Sequence, residues 1–414
     1  MPTTPDEFLD VHIHIVPRQP PEYRVHIRLG DGGEFDGAFT TDGLLPWTSG
    51  GTLERDGQRL FNAFFADSSL RTAWDTAHGR SAQRRIRLHI DPDAAELHSL
   101  PWELLHDGVQ WLTTLDAMPF SRYLPGHQDY RLALTAYPLR ILVAISNPDD
   151  LADEGLIPID VAHEQALLEE AFAQSIEKGW VELAVLPPPV TLANLEAALS
   201  SGYHALHLVA HGAVRGRDKA VALYLQGDDG MAHTVSAGQL AAIFGQEQLP
   251  HLVFLSACHS GALSAGDVLV GFGPALVAAG IPAVVAMQDA VSLPTAQRAT
   301  FIFYTALMRY GAVDRALNWA RRNVLAAGRS DLGAPALLMH LQDGQIWLEM
   351  PPAICVDEGR KILVSLYQKF GDMWLEWLQG ELQRYHDTPT DNENIRQWSG
   401  ILLDALDDSP TFER

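Results

Sequence analysis

Two short apolar runs constrain the fold of this chain more than any other feature. The first is His204–Gly212, HALHLVAHG, and the second is His251–Gly261, HLVFLSACHSG. Both runs are rich in branched apolar side chains and too short for a stable helix, so each predicts a buried strand. Each ends in one reactive side chain, His211 in the first and Cys258 in the second, with a glycine close behind. The fold must therefore accommodate two buried strands that carry reactive groups at their ends.

The spacing between the runs leaves room for the crossover connection that parallel strands require. Such a connection brings the carboxyl ends of both strands to one edge of a sheet, where the sites of α/β proteins lie. A thiol and an imidazole that meet there are the minimum parts of a cysteine hydrolase. In the caspase pattern the histidine precedes the cysteine by roughly 50 residues, and here His211 precedes Cys258 by 47.

The sequence around the two runs alternates strand and helix patterns. Apolar runs at 139–145 and 180–186 predict strands, and amphipathic patterns at 160–178 and 191–199 predict helices. This order predicts an α/β fold with a right-handed, doubly wound, mostly parallel sheet. Further predictions are a hairpin within 219–244, a buried strand at 283–287, helices at 295–310 and 313–327, and an edge strand at 336–340.

Three regions are predicted along the chain. Residues 1–125 form a β-containing N-terminal region, which is either a degenerate half-sheet packed on the next region or an independent sensor domain. Residues 138–350 contain both runs and form the main α/β domain. Residues 354–414 carry three amphipathic stripes and predict a C-terminal helical segment. In the first region, Trp102 and Glu103 are interpreted as an aromatic anchor and its short helix.

The composition excludes several classes of function. The chain has 52 acidic and 29 basic residues, and its formal net charge of −23 repels nucleic-acid backbones and anionic membranes. It has only two cysteines, which argues against a disulfide framework and favours a reducing cytoplasm. The sequence shows neither a signal peptide nor an apolar run long enough to span a membrane. No nucleic-acid or membrane partner is therefore expected.

A metal-binding motif near the N-terminus is an alternative site. The run Asp10-Val-His12-Ile-His14 resembles the first-strand motif of amidohydrolases, and side chains two apart on a strand share a face. Such enzymes need a long barrel with further ligands downstream, and the sequence has no barrel periodicity. We therefore interpret His12 and His14 as solvent-facing strand histidines, and expect neither a metal nor another cofactor.

The chemistry of a cysteine hydrolase assigns a role to each candidate residue. Cys258, as thiolate, attacks a peptide carbonyl. His211 keeps the thiolate available or acts as base, and then protonates the leaving amine. The backbone N–H groups of Gly212 and Cys258 are the expected oxyanion donors, on the expectation that both backbones turn at the sheet edge. His259 is the one serious rival base, but its adjacency to Cys258 on a turn directs its ring elsewhere.

The two runs together resemble the CHAT domain, a caspase-like group within the caspase–separase clan of cysteine peptidases. The resemblance spans about residues 85–345 and includes the runs at 100–105, 122–125, 139–148, 160–164 and 266–287. It implies a caspase-like fold and a cytoplasmic bacterial peptidase that cleaves a chosen protein substrate. It also implies an activating or inhibiting protein partner and a role in defence or cell death.

The sequence departs from its relatives around the expected cleft. Clan members that cut after Arg or Lys usually carry an acid two residues before the nucleophile, and Ser256 stands at that place. We therefore expect a small or apolar residue at the cleavage position, with Ser256, Asp267, Gln288 and Asp289 as candidate cleft residues. Two alternatives to a peptidase stay open. One is a catalytically silent scaffold on the same fold, and the other is a flavodoxin-like nucleotide binder, which the lack of a phosphate loop disfavours.

Overall fold

The structure is a computed structural model that describes residues 8–125, 134, 138–215, 220–244, 249–258, 267–287, 292–328, 331–347 and 383. The predicted C-terminal helical segment, 354–414, lies outside the described residues except for Gln383. Residues up to 348 form one compact unit.

Thirteen strands of the described chain form a single sheet. In chain order they are β1 (Leu9–Gln19), β2 (Glu22–Leu29), β3 (Glu34–Thr40), β4 (Arg84–Ile90), β5 (Phe120–Tyr123), β6 (Leu139–Ile145), β7 (Val181–Val185), β8 (Ala205–Arg215), β9 (Ala220–Gln226), β10 (Ala232–Ser236), β11 (Leu252–Cys258), β12 (Ala283–Met287) and β13 (Pro335–Met339). Across the sheet the order is β10-β9-β8-β11-β12-β13-β5-β4-β1-β2-β3, with β6 paired to β8 and β7 paired to β6.

Eight α-helices connect and cover these strands in the described residues. They are α1 (Leu53–Phe64), α2 (Ser68–Arg80), α3 (Val161–Glu177), α4 (Leu192–Leu199), α5 (Ala237–Ala242), α6 (Asp267–Ala278), α7 (Leu293–Tyr310) and α8 (Val313–Ala326). Short 3-10 turns lie at Pro92–Ser99, Trp102–Leu104 and Leu112–Thr114.

The C-terminal part of the sheet confirms the predicted α/β class. Strands β7, β6, β8, β11 and β12 are parallel, and β13 returns antiparallel to β12. The prediction that 336–340 is an edge strand is wrong, because the other side of β13 pairs with β5. Apolar side chains of β8 and β11 pack on one face against α4, α5 and α6. On the other face, Phe254 of β11 meets Phe303 and Tyr304 of α7. Helices thus cover both faces, as in a doubly wound sheet.

The N-terminal strands belong to the same sheet. β5 pairs in parallel with β13, so that Arg122 lies beside Leu338 and Tyr123 beside Met339. From β5 the sheet continues through β4, β1, β2 and β3. Strands from the predicted regions 1–125 and 138–350 therefore hydrogen-bond to each other, and the sheet crosses the boundary between them.

A buried ion pair lies beside this junction. The Arg122 guanidinium donates to both carboxylate oxygens of Glu103, at 2.9 and 2.7 Å, and to the carbonyl of His98 at 2.8 Å. Arg122 and Glu103 are both fully buried. Trp102 is also buried, and its indole N–H donates to the Leu97 carbonyl at 2.8 Å. These contacts agree with the structural role that the sequence indicated for Trp102 and Glu103.

We predict that Glu103→Gln lowers the free energy of unfolding by about 3–5 kcal/mol, because it leaves the buried Arg122 charge without its counter-ion. The matched control is Glu22→Gln, which removes one partner of the exposed Arg18–Glu22 pair. That change is expected to cost less than about 1 kcal/mol. Urea unfolding of the three proteins measures both values. Equal losses in the two variants would contradict the prediction.

The structure corrects the prediction of solvent-facing histidines on β1. His12 and His14 are half-buried, and the ring of His14 stacks on His89 of β4 at 4.1 Å between centroids. Burial, with Arg87 as the next contribution, lowers the pKa of His12 to about 4. Burial also lowers the pKa of His89 to about 4. The sequence did not reveal this packing because the rings meet across strands that are distant along the chain.

These lowered pKa values predict how stability responds to pH. Folding moves the pKa of His12 from 6.5 down to about 4, so the unfolded chain binds more protons than the folded protein between these values. Stability is therefore expected to fall as the pH drops from 6.5 towards 4. Replacing the imidazole in His12→Gln should make that loss shallower, whereas the exposed His78→Gln should not. Urea unfolding at pH 7 and pH 5 tests this, and identical losses in His12→Gln and wild type would contradict it.

Candidate functional site

The register of two neighbouring strands brings together the positions of the predicted nucleophile and base. β8 and β11 run parallel, and Cys258 is the direct partner of His211. Neighbouring strands lie about 4.8 Å apart, and positions in register on parallel strands share one face of the sheet. The two candidate positions are therefore adjacent and on the same face of the sheet. His207, four residues before His211 on β8, also lies on that face.

The side chain of His211 is held by a backbone carbonyl. His211 is 4% exposed, and its Nε2 lies 2.8 Å from the carbonyl oxygen of Ile157. Because a carbonyl can only accept, Nε2 must carry the proton and donate it. The neutral ring then has its lone pair on Nδ1. This contact selects the tautomer in which Nδ1 is the basic nitrogen.

The Ile157 carbonyl is the functional group that the sequence analysis missed. The side chain of Ile157 is 81% exposed, and only the backbone carbonyl of this residue contacts His211. Any residue can supply a carbonyl, so no side-chain pattern marks this position.

Several contacts hold the loop that carries Ile157. The side chain of Asn147 accepts a hydrogen bond from Ile159 N at 2.8 Å, which ties the two ends of the loop together. Asp150 accepts from Ala232 N at 2.7 Å and so joins the loop to β10. The phenolic hydroxyl of Tyr224, on β9, donates to Glu154 at 2.8 Å. The β9–β10 hairpin thus forms the support of this loop.

The strand that carries His211 does not end there, contrary to the prediction. β8 continues to Arg215, because β9 folds back onto it with His211 opposite Tyr224 and Gly212 opposite Leu223. The expectation that the backbone turns at Gly212 is therefore wrong. The assignment of the Gly212 and Cys258 N–H groups as oxyanion donors stays a prediction.

The structure describes two of the four candidate cleft residues, Ser256 and Asp267. Ser256 is buried in β11, two positions before Cys258 and in register with Val209. Asp267 is the first residue of α6. Gln288 and Asp289 follow the end of β12 and lie outside the described residues, as does the rival base His259. Whether these residues form a cleft stays a prediction.

The other histidines near the site have structural partners. His207 lies two positions before Val209 on β8, and its Nδ1 is 2.9 Å from the hydroxyl of Tyr304. Burial lowers the pKa of His207 to about 3 and raises that of Tyr304, so both groups are neutral at pH 7. His204 accepts a hydrogen bond from Arg140 N at 2.9 Å. Both histidines therefore have hydrogen-bond partners within the fold.

The described residues contain no group of three or more His, Cys, Asp or Glu side chains that could hold a metal ion. No helix in the same part of the chain is long and apolar enough to cross a bilayer.

The register of β8 and β11 can be tested chemically. In His211→Cys, the new thiol and Cys258 would occupy adjacent positions on one face, so a short bis-alkylating reagent is expected to link them. Ala210→Cys is the matched control, because residue 210 points to the opposite face of the same strand. Mass spectrometry of the digested protein identifies the linked peptides. Equal cross-linking of both variants to Cys258 would contradict the register.

Comparison with known proteins places the chain in context. The CHAT domain family model matches residues 54–404. No curated protein matches the chain. Among solved structures, the Arg-specific cysteine proteinase gingipain R is similar at 13% identity and a TM-score of 0.42, over 64% of this chain and 64% of that one.

Two further structures are similar over smaller shares of their own chains. The separase of the Saccharomyces cerevisiae separase–securin complex has 13% identity and a TM-score of 0.39, over 67% of this chain and 18% of that one. The complex of Porphyromonas gingivalis RgpB pro- and mature domains has 14% identity and a TM-score of 0.34, over 51% and 48%. All three similarities cover less than two thirds of the other chain.

Proposed function

The chain belongs to the CHAT domain family, and from this membership we propose that it is a cysteine endopeptidase with Cys258 as nucleophile and His211 as acid–base partner. The observation that carries the proposal is the register of β8 and β11, in which these two residues are direct partners. A thiol and an imidazole on adjacent positions of one sheet face are within reach of each other for proton transfer.

The tautomer of His211 supports a specific course for the reaction. With Nε2 donating to Ile157, Nδ1 is the nitrogen that takes the proton from the Cys258 thiol. The thiolate attacks the peptide carbonyl, and the C–N bond breaks as Nδ1 returns the proton to the leaving amine. Water, deprotonated by the same nitrogen, then hydrolyses the thioester and releases the carboxylate product with the thiol restored.

The Ile157 carbonyl has a role in both protonation states. In the neutral ring it fixes the orientation of the imidazole. In the imidazolium it accepts from a charged donor, and such hydrogen bonds are the stronger ones. It thereby favours the ion pair in which the thiolate is already formed.

The finer features of the function are proposals that extend the family resemblance. We propose a single protein substrate, cleaved after a small or apolar residue, since Ser256 supplies no charge for a basic one. We propose that a protein partner activates or inhibits the enzyme, and that it acts in a bacterial defence or cell-death pathway. A cytoplasmic location is proposed because the sequence has only two cysteines.

Coexpression with candidate substrates tests the proposal. Proteins encoded next to this one are expressed with wild type, Cys258→Ala, His211→Ala and the control Cys355→Ser, and fragments are identified by mass spectrometry. Wild type and Cys355→Ser are expected to produce the same fragments. Loss of either catalytic group should slow cleavage by at least about a thousandfold. Cleavage that survives Cys258→Ala would remove the enzyme assignment and favour a silent scaffold.

A further inference from the structure

Tyr224 lies opposite the candidate base. In the antiparallel pairing of β8 and β9, Tyr224 is the direct partner of His211. Directly opposite residues of an antiparallel pair share a face, with their Cβ atoms about 5 Å apart. On one face of the sheet, His211 therefore lies between the position of Cys258 on β11 and Tyr224 on β9.

Tyr224 also contacts the loop that orients His211. Its ring is buried with Leu151 and Leu156 of that loop in one small apolar cluster. Its hydroxyl donates to Glu154 at 2.8 Å, between these two leucines in sequence. Ile157, whose carbonyl accepts from His211, follows three residues after Glu154. The same tyrosine thus contacts the loop through both its ring and its hydroxyl.

The position of the Ile157 carbonyl depends on this contact. Residues 151–155 form successive tight turns, with hydrogen bonds from Glu154 N and Leu156 N to the Leu151 carbonyl. A shift of Glu154 would therefore move Leu156 and the carbonyl of Ile157. Displacement of that carbonyl would remove the hydrogen bond that orients Nε2 of His211 and favours this tautomer.

We propose that Tyr224 is a positioning residue of the catalytic pair, which holds the His211 ring by anchoring Glu154 and the loop that ends in the Ile157 carbonyl. The inference rests on the proposed function, because it assigns a purpose to the orientation of His211. Tyr224 acts through Glu154 and Ile157.

The pH dependence of Cys258 alkylation tests this assignment without a known substrate. Iodoacetamide reacts with the thiolate, so a cysteine paired with an imidazolium stays reactive below the pH at which an ordinary thiol does. The rate is followed at the Cys258 peptide by mass spectrometry from pH 5 to pH 9. In Tyr224→Phe we expect alkylation at pH 6.5 to be about tenfold slower, with the profile shifted to higher pH, because one hydrogen bond to a carboxylate is lost.

Tyr23→Phe is the matched control. Tyr23 is also a buried strand tyrosine whose hydroxyl donates to a glutamate, Glu96, but it lies on β2 in the N-terminal part of the sheet. The substitution removes the same atom and the same type of hydrogen bond. It is expected to leave the Cys258 profile unchanged, which separates positioning from a general loss of stability.

Variants at the other end of the hydrogen bond complete the design. Glu154 is exposed, so Glu154→Ala removes the acceptor even if Tyr224→Phe fails to fold. Glu154→Ala should shift the profile as Tyr224→Phe does, and Glu154→Gln, which retains an acceptor, should shift it less. The double variant Tyr224→Phe with Glu154→Ala should shift the alkylation profile little more than either single variant does, because both changes remove the same hydrogen bond.

The outcomes separate this inference from the proposed function. If His211→Ala shifts the profile but Tyr224→Phe and Glu154→Ala do not, the positioning role is wrong and the catalytic pair stands. An equal shift in Tyr23→Phe and Tyr224→Phe would also overturn the positioning role. If His211→Ala alkylates like wild type, the catalytic pair itself fails, and the role of Tyr224 fails with it.

Discussion

The parallel pairing of β8 with β11 is the constraint on which the site depends. Seven successive residue pairs run from Leu252 beside Ala205 to Cys258 beside His211 without a change of register. A slip of one residue would move Cys258 to the opposite face from His211. The buried side chains beneath the site oppose such a slip, because Phe254 packs between His207 and the aromatic rings of α7. Core packing therefore fixes the register that places Cys258 beside His211.

The same sheet links the site-bearing half to the N-terminal strands. β13 pairs with β12 on one side and with β5 on the other. The carbonyl of Pro335, the first residue of β13, accepts two hydrogen bonds from the buried guanidinium of Arg321. The donors are Nε at 2.9 Å and Nη2 at 2.8 Å. Glu103 and Arg122 form their ion pair beside the next strand. Removing one partner of the Glu103–Arg122 pair would leave a buried charge without its counter-ion, so this pair stabilises the observed arrangement of β5.

The parts of the site that reside in side chains were predictable, and those that reside in the backbone were not. Apolar runs ending near His211 and Cys258 predicted two buried strands and their proximity, because burial and crossover connections leave strong patterns. The Ile157 carbonyl left no pattern, since every residue has one. The extension of β8 to Arg215 depends on its pairing with β9, and the stacking of His14 on His89 depends on β1 meeting β4. Such tertiary contacts override what a local stretch of sequence indicates.

A carbonyl partner for His211 has a different consequence from a carboxylate partner. A carboxylate both orients an imidazole and stabilises its positive charge over distance, as in the Ser-His-Asp triad. A carbonyl is neutral, so it orients the ring and adds only the short-range gain of one hydrogen bond. In the proposed mechanism, the Cys258 thiolate is the counter-charge of the imidazolium. Proton transfer within such a pair would depend on distance and orientation, so the proposed mechanism requires a defined position of the loop from Asn147 to Ile159. This loop is held by the Tyr224 hydroxyl, by the hydrogen bond from Ala232 N to Asp150 and by the buried Leu151 and Leu156, so the orientation of His211 depends on contacts that lie outside the proposed catalytic pair.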